Sequence, residues 1–272
     1  MRYRKLTLVA TLFSIATPGF ATQYHEPLPP PYLDAYIAQT PPKPNQFKIF
    51  ISHLYLAGRF GVAFSNINDI KTPTPQLIDA GNTAQKTSAN DLIYNKGLAL
   101  GYAFDPVGGF FYNRLELEYM FHDNFKYNAS PPFQGAFLST STLKSTIDSH
   151  TLLAKWYGEF KMGNFPLRPF IVAGFGMAHN ITKSNAFFND SSQGAAGENS
   201  SRTISRNNLA WTIGLGTAYY FNKHLSFDLD YEYIALGNVE WRMSTNASYN
   251  TAVLESNKYT ANTINADIRI LL

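Results

Sequence analysis

From residue 54 onward, apolar positions alternate with polar or small ones at a period of two, as in β-strands that show a different solvent to each face. In "LYLAGRFGVAF" (54–64), Leu54, Leu56, Phe60, Val62 and Phe64 share one face, and Tyr55, Ala57, Arg59, Gly61 and Ala63 the other. The split recurs in "KGLALGYAF" (96–104), "RLELEYMF" (114–121), "SHTLLAKWYGEF" (149–160), "PFIVAGFGMA" (169–178), "NLAWTIGLGTAYYF" (208–221), "LSFDLDYEYIA" (225–235) and "TINADIRILL" (263–272). Eight strands are predicted. Long polar segments at about 65–94, 122–147, 179–206 and 237–257 alternate with short turns such as "DPVGG", "KMGNFPLR" and "NKH". Long loops at one end and tight turns at the other are the layout of an all-β, eight-stranded antiparallel up-and-down transmembrane β-barrel. A soluble sandwich with Greek-key crossings has no reason to sort its loops by end.

The two faces assign the inside. One is apolar in nearly every strand and carries rings toward the strand ends, among them Phe104, Tyr119, Phe121, Trp156, Phe160, Tyr219 and Tyr233, as an interfacial girdle requires. The other mixes small residues with four cations (Arg59, Arg114, Lys155, Arg269) and seven anions (Glu116, Glu118, Glu159, Asp228, Asp230, Glu232, Asp267). Eight strands enclose an interior that side chains just fill, so these charges are expected to point inward and pair. Gly97, Gly101, Gly174, Gly176, Gly214 and Gly216 fall on the same face and are expected to leave lumen space. A small narrow-pore channel is the alternative use of such an interior.

The amino terminus sets the compartment. Arg2, Arg4 and Lys5 precede a short apolar run, Leu6 to Ala16, and small residues ending at Ala21, which reads as a signal peptide over 1–21. Residues 22–46, with "PLPPPY" and "TPPKPN", form an extended proline-rich lead segment in the periplasm, and the barrel occupies 47–272. Without its signal the chain carries 19 of its 22 Lys+Arg against 19 Asp+Glu, a balance that offers nothing to nucleic acid. With no cysteine, disulfides and thiol chemistry are excluded.

Candidate chemistry is sparse. Ser149 and His150 are adjacent, so they point to opposite faces, and Glu159 lies about 30 Å away along an extended strand. That trio is no catalytic triad, and no enzyme is expected. His122, His150 and His179 fall at the loop-side ends of three consecutive strands, but their facings differ and no carboxylate joins them. No metal site and no cofactor is expected.

In order and spacing, "YNRLELEYMF", "LLAKWYGEF", "RPFIVAGFGMA", "LAWTIGLGTAYYF" and "LSFDLDYEYIALG" resemble the strand motifs of the small eight-stranded outer-membrane β-barrels, the OmpA-like, opacity-type and surface-antigen proteins. The resemblance covers about 54–272. Members usually end on an aromatic residue, whereas Leu272 ends this sequence. The resemblance implies a bacterial outer-membrane protein with extracellular loops and both termini in the periplasm. Its partners would be membrane lipid and lipopolysaccharide, the barrel assembly machinery, and a host or matrix ligand held by the loops. Adhesion or antigenic display is the function expected, with an outer-membrane hydrolase a remoter alternative. Phe187 and Phe188, in the third loop, are the expected aromatic contacts.

Overall fold

The structure is a computed structural model that describes residues 53–72, 83–84, 86–134, 142–163, 165–188, 198–243 and 252–272. The signal and proline-rich segments expected over 1–46 lie outside the described residues. The elements are β1 (Leu54–Asn68), β2 (Thr83–Ala84), β3 (Ala89–Ala103), β4 (Phe111–Ala129), β5 (Phe133–Gln134), β6 (Thr142–Phe160), β7 (Leu167–Phe188), β8 (Glu198–Tyr220), β9 (Leu225–Met243) and β10 (Ala252–Leu271). Eight of them close an antiparallel barrel in the order β1-β10-β9-β8-β7-β6-β4-β3, while β2 and β5 form a separate two-stranded ribbon.

Nearest the short turns, the barrel is turned inside out relative to a soluble one. Leu56, Leu98, Leu117, Leu152, Phe175, Leu215, Leu229 and Ile268, one from each barrel strand, are exposed on the outside. The inward positions between them are buried and largely polar or small. A continuous exposed apolar girdle around a closed cylinder has no place in water; it fits hydrocarbon.

The strands do not stop at the girdle. β7 and β8 run to 22 and 23 residues, about twice the 9–11 that cross a bilayer. Of the segments expected as loops, those at 122–147, 179–206 and 237–257 are therefore more than half strand and 65–94 is strand at both ends: the long strands run out to Asn68, Ala129, Phe188 and Met243 and resume at Ala89, Thr142, Glu198 and Ala252. The reason is a change of outer solvent, accompanied on some strands by a change of phase. A bulge after His122 shifts β4 so that Phe125 and Tyr127 turn inward and Lys126 and Asn128 outward. Register shifts between Ser256 and Thr260 do the same on β10, opposite Gly237 of β9, whose φ of 81° suits glycine. Beyond these points water lies outside, so apolar residues move in and polar ones out.

Two ladders also end there. β3–β4 pairing stops at Asn95↔His122 and β8–β9 pairing at Trp211↔Ala235. The sets β4-β6-β7-β8 and β9-β10-β1-β3 continue past these points. The barrel thus opens into a sandwich of two four-stranded sheets. Ile67, Ile93, Phe125, Tyr127, Ile147, Val239, Trp241, Leu254 and Tyr259 fill it as one buried apolar cluster.

Candidate functional site

Inside the girdle all eleven inward charges are buried and fall into two groups. In the middle of the barrel, Arg59 is held by Glu118 and by both oxygens of Asp267, with Glu232 at 3.3 Å and the Tyr157 hydroxyl at 2.9 Å. Its Nε donates to Asp267 at 2.7 Å, and Asp230 lies 3.6 Å from its guanidinium. Lys155 bridges Glu118 and Glu232 at 2.8–2.9 Å, and Thr212 donates to Glu232 at 2.7 Å. Nearer the turns, Arg114 contacts Glu116, Glu159 and Asp228 at 2.8–2.9 Å, while Arg269 joins Glu159 and Asp228 at 3.2–3.3 Å. Charges removed from water are tolerable only with this degree of mutual satisfaction. Arg59 and Asp267, far apart in sequence, meet because β10 closes on β1 with these two residues opposite each other.

The glycine positions are not open space. A Cβ at Gly101 would lie 2.1 Å from Cζ of Tyr55, and one at Gly216 would lie 2.5 Å from Cζ of Phe170. Inward rings use the room those glycines leave. At the turn end a cavity of about 330 Å³ remains, lined by Tyr55, Arg114, Glu159, Arg168, Tyr220 and Arg269 among others. There Arg168 lies between the Tyr112 and Tyr220 rings, 4.1 and 4.0 Å from their centroids.

The sandwich presents a different surface. Lys126, Lys144 and Lys183 are exposed on the outer face of β4, β6 and β7. Lys126 and Lys183 flank Thr146 on either side, and Lys144 lies two residues along β6 from it. At roughly 4.8 Å per strand and 3.3 Å per residue, the three backbones sit within about 10 Å of one another. One acid joins them: Asp148 accepts from Lys183 at 2.9 Å, and that bond holds the Lys183 ammonium above the usual lysine range.

Where β8 and β9 part, side chains span the gap. Asn180 donates to the carbonyls of Leu236 and Asn238 at 2.9 and 3.0 Å, and Asn208 to Asn238 at 3.0 Å. Arg206 and Arg242 both clasp Glu240. Burial works to raise the Glu240 carboxyl; the two arginines outweigh it and hold it below the ordinary range.

Other residues singled out by sequence do not converge. His122 is buried inside, while His150 and His179 lie outside with ring centroids 6.5 Å apart. His150 contacts the Tyr119 hydroxyl at 2.6 Å and His179 contacts Asn207. No metal-holding group occurs among the described residues. Phe187 and Phe188, expected in a loop, are the last two residues of β7, where Phe187 pairs with Thr142 and Asn199 and is 36% exposed. Sequence reasoning missed Tyr157, Tyr220, Thr212 and Arg168. Their strand parity was legible, but uncharged or turn-adjacent positions did not stand out.

Residues 49–267 match the family described as Outer membrane protein beta-barrel domain. The chain is 26% identical to Outer membrane protein PagN of Salmonella typhimurium over 189 residues, 68% of its own length and 75% of that protein's. Among solved structures, it is similar to Neisserial surface protein A, with 13% identity and a TM-score of 0.41 over 80% of this chain and 97% of that one. Ail, the attachment invasion locus protein of Yersinia pestis, solved with the heparin analogue sucrose octasulfate, gives 12% identity and a TM-score of 0.32 over 80% and 99%. The chain belongs to the outer membrane protein β-barrel domain family, and its apolar girdle is the part that lies in the bacterial outer membrane.

Proposed function

We propose that the protein is a non-enzymatic surface-recognition scaffold whose sandwich stands outside the cell and binds an anionic polysaccharide of a host surface. The lysine triplet carries this reading. Three ammonium groups on adjacent strands of one packed sheet keep a fixed spacing, which suits the repeated sulfates of a glycan better than a single small anion. The bonded ladders beneath them supply the preorganisation that flexible loops lack. Phe187, at the sandwich tip, adds an exposed aromatic edge for a sugar ring. The narrow channel is disfavoured, because Arg59 and Lys155 with their carboxylates cross the lumen and the Phe125–Tyr127–Trp241 cluster fills the sandwich above it. A hydrolase is disfavoured too: Ser149 is buried inward, while His150, its neighbour on β6, faces outward.

The test compares cells carrying wild-type protein with cells carrying Lys126→Ala, Lys144→Ala and Lys183→Ala together. Binding to immobilised heparin and to its desulfated form is measured at rising salt. Loss of sulfate-dependent, salt-sensitive binding in the triple variant supports the reading. Equal binding by both cell types at every salt concentration sinks it.

A further inference from the structure

Lys96 carries a charge on the lipid face of the barrel. It points outward from β3 and is exposed, with Leu98 and Leu100 exposed on the same face toward the turns and Tyr94 and Leu92 toward the sandwich. Its cross-strand neighbours are both rings, Phe60 on β1 and Phe121 on β4. Beyond it the pairs Val62↔Tyr94 and Phe64↔Leu92 carry the apolar surface on for about 13 Å, at roughly 3.3 Å per residue. No other charged side chain of a barrel strand, among the described residues, is flanked this way. An ammonium on a hydrocarbon-facing surface is costly unless it reaches water or an anion, so such a residue marks a site with a partner.

Nothing in the chain supplies that partner. Among the described residues Lys96 makes no hydrogen bond and no ion pair; its Nζ lies over the Phe121 ring, 5.5 Å from the centroid. That contact turns the ammonium sideways toward β4, into a hollow of about 190 Å³ on the outer surface. Phe60, Tyr94, Lys96, Phe121 and Asp123 are among the residues that line it. Asp123, the acid there, is engaged by Asn124, whose amide donates to its Oδ1 at 2.9 Å. The hollow therefore combines apolar ring walls with one unpaired cation and opens toward hydrocarbon.

We propose that this hollow is a lipid site, in which Lys96 binds the phosphate of an anionic lipid whose acyl chains lie along Phe60, Leu98 and Leu100. Charge complementarity and the apolar surroundings select this occupant together. A free phosphate ion would leave its water for ring walls that offer it nothing, whereas a lipid brings the chains those walls can pack against. Which leaflet supplies the lipid rests on the outward placement of the sandwich proposed above; the pairing of phosphate with Lys96 does not.

The test titrates purified protein, folded in detergent, with phosphatidylglycerol or phosphatidylcholine and reads bound lipid by native mass spectrometry. Phosphatidylglycerol should bind wild-type protein about tenfold more tightly than Lys96→Gln, the scale of one charge-assisted contact. Lys96→Arg should restore that affinity. Lys161→Gln, an exposed lysine at the turn-side rim, should leave it unchanged. Phosphatidylcholine should bind wild-type protein and Lys96→Gln alike, and the mobility of each unheated variant on a detergent gel reports that its barrel is closed. Unchanged phosphatidylglycerol affinity in Lys96→Gln, or an equal loss in Lys161→Gln, overturns the proposal. Two further results overturn it in favour of another occupant. Displacement of the lipid by millimolar inorganic phosphate assigns the hollow to a free anion, and a lipid-free dimer that is lost in Lys96→Gln assigns it to a second copy of the chain. No glycan enters this experiment, so its failure leaves the polysaccharide reading to its own test.

Discussion

Replacing Trp241 with alanine separates a folded sandwich from a set of loops. Trp241 is fully buried, its ring 4.7 Å from that of Tyr127, within the apolar cluster shared by both sheets. A tryptophan buries about 150–250 Å², worth roughly 4–6 kcal/mol at about 25 cal/mol per Å². One contribution runs the other way. The indole Nε1 is buried without a hydrogen-bond partner among the described residues, and removing that donor returns about 1–3 kcal/mol. The net loss is about 3 kcal/mol, at the low end of large-to-small core changes. If the sandwich opens as a unit, its open population rises by roughly a hundredfold. Cleavage by a dilute protease, which tracks that population while reclosing is fast, should rise by the same factor within 236–243. The girdle should be untouched, so the unheated protein should keep its altered gel mobility. Wild-type cleavage rates in Trp241→Ala would refute the reasoning, since 237–257 would then behave as the loop its composition suggested.

Leu215→Arg places a cation against hydrocarbon and should cost about 2–4 kcal/mol near the bilayer midplane, read as a lowered urea midpoint in lipid vesicles. Gly216→Ser on the inner face should also be destabilising, by about 1–3 kcal/mol, because its Cβ meets Phe170 and the Leu229 carbonyl; an unchanged midpoint would mean that the inner packing is looser than described. Arg59→Met leaves Glu118, Asp230, Glu232 and Asp267 to Lys155 alone and should cost about 3–5 kcal/mol, with Asp267→Asn in the same chain restoring part of it. Burial pushes the Tyr127 hydroxyl up to about 12. A group raised in the folded state contributes stability below its unfolded value of about 10 and loses it as pH climbs toward 12. Absorbance at 295 nm should accordingly show Tyr127, compared with Tyr127→Phe, ionising late and together with sandwich opening. Deleting Asp123 and Asn124 together removes both residues that oppose Asp148 and should turn Phe125 and Tyr127 outward, giving a sandwich that binds hydrophobic dye above an intact girdle, whereas deleting Asn124 alone keeps Phe125 opposite Ile147 and should leave the sandwich closed.

What could be read in the sequence depended on which solvents flanked each stretch. Between residues 114 and 121 lipid lies on one side and a charged lumen on the other, so Leu115, Leu117 and Tyr119 stand apart from Arg114, Glu116 and Glu118. Strand number, order and facing were all visible there. In "DNFKYNA" (123–129) and "NVEWRM" (238–243) the alternation is equally real but inverted, and average polarity hid it. The bulges deepened the problem. Inward positions are even-numbered up to His122 and odd-numbered from Phe125, so a fixed parity loses the strand at the point where its role changes. Ser201–Asn207 offered nothing to read, because water meets both faces and selects no alternation. The lumen pairs lay partly out of reach for another reason. Parity lists Arg59 and Asp267 as inward, but their contact follows from the closure of β1 on β10.

The bulges, the ladder ends and the change of outer solvent coincide, and physical chemistry links the three. A barrel in lipid cannot leave an edge unpaired, because hydrocarbon offers no substitute for a missing backbone partner. Within the girdle every strand is accordingly bonded on both sides. Past Ala235 and His122 water can satisfy an open edge, and closure is no longer compulsory. The chain uses that freedom to exchange the residue types of its two faces, with local register shifts on β4 and between β9 and β10, and to part along two seams, so that Trp241 and Tyr127 gain a core between two sheets. The result joins an anchor, whose faces are set by lipid, to a head, whose faces are set by water. The exposed lysines of β4, β6 and β7 lie in the head, past the point where the membrane's constraint on the backbone has ended.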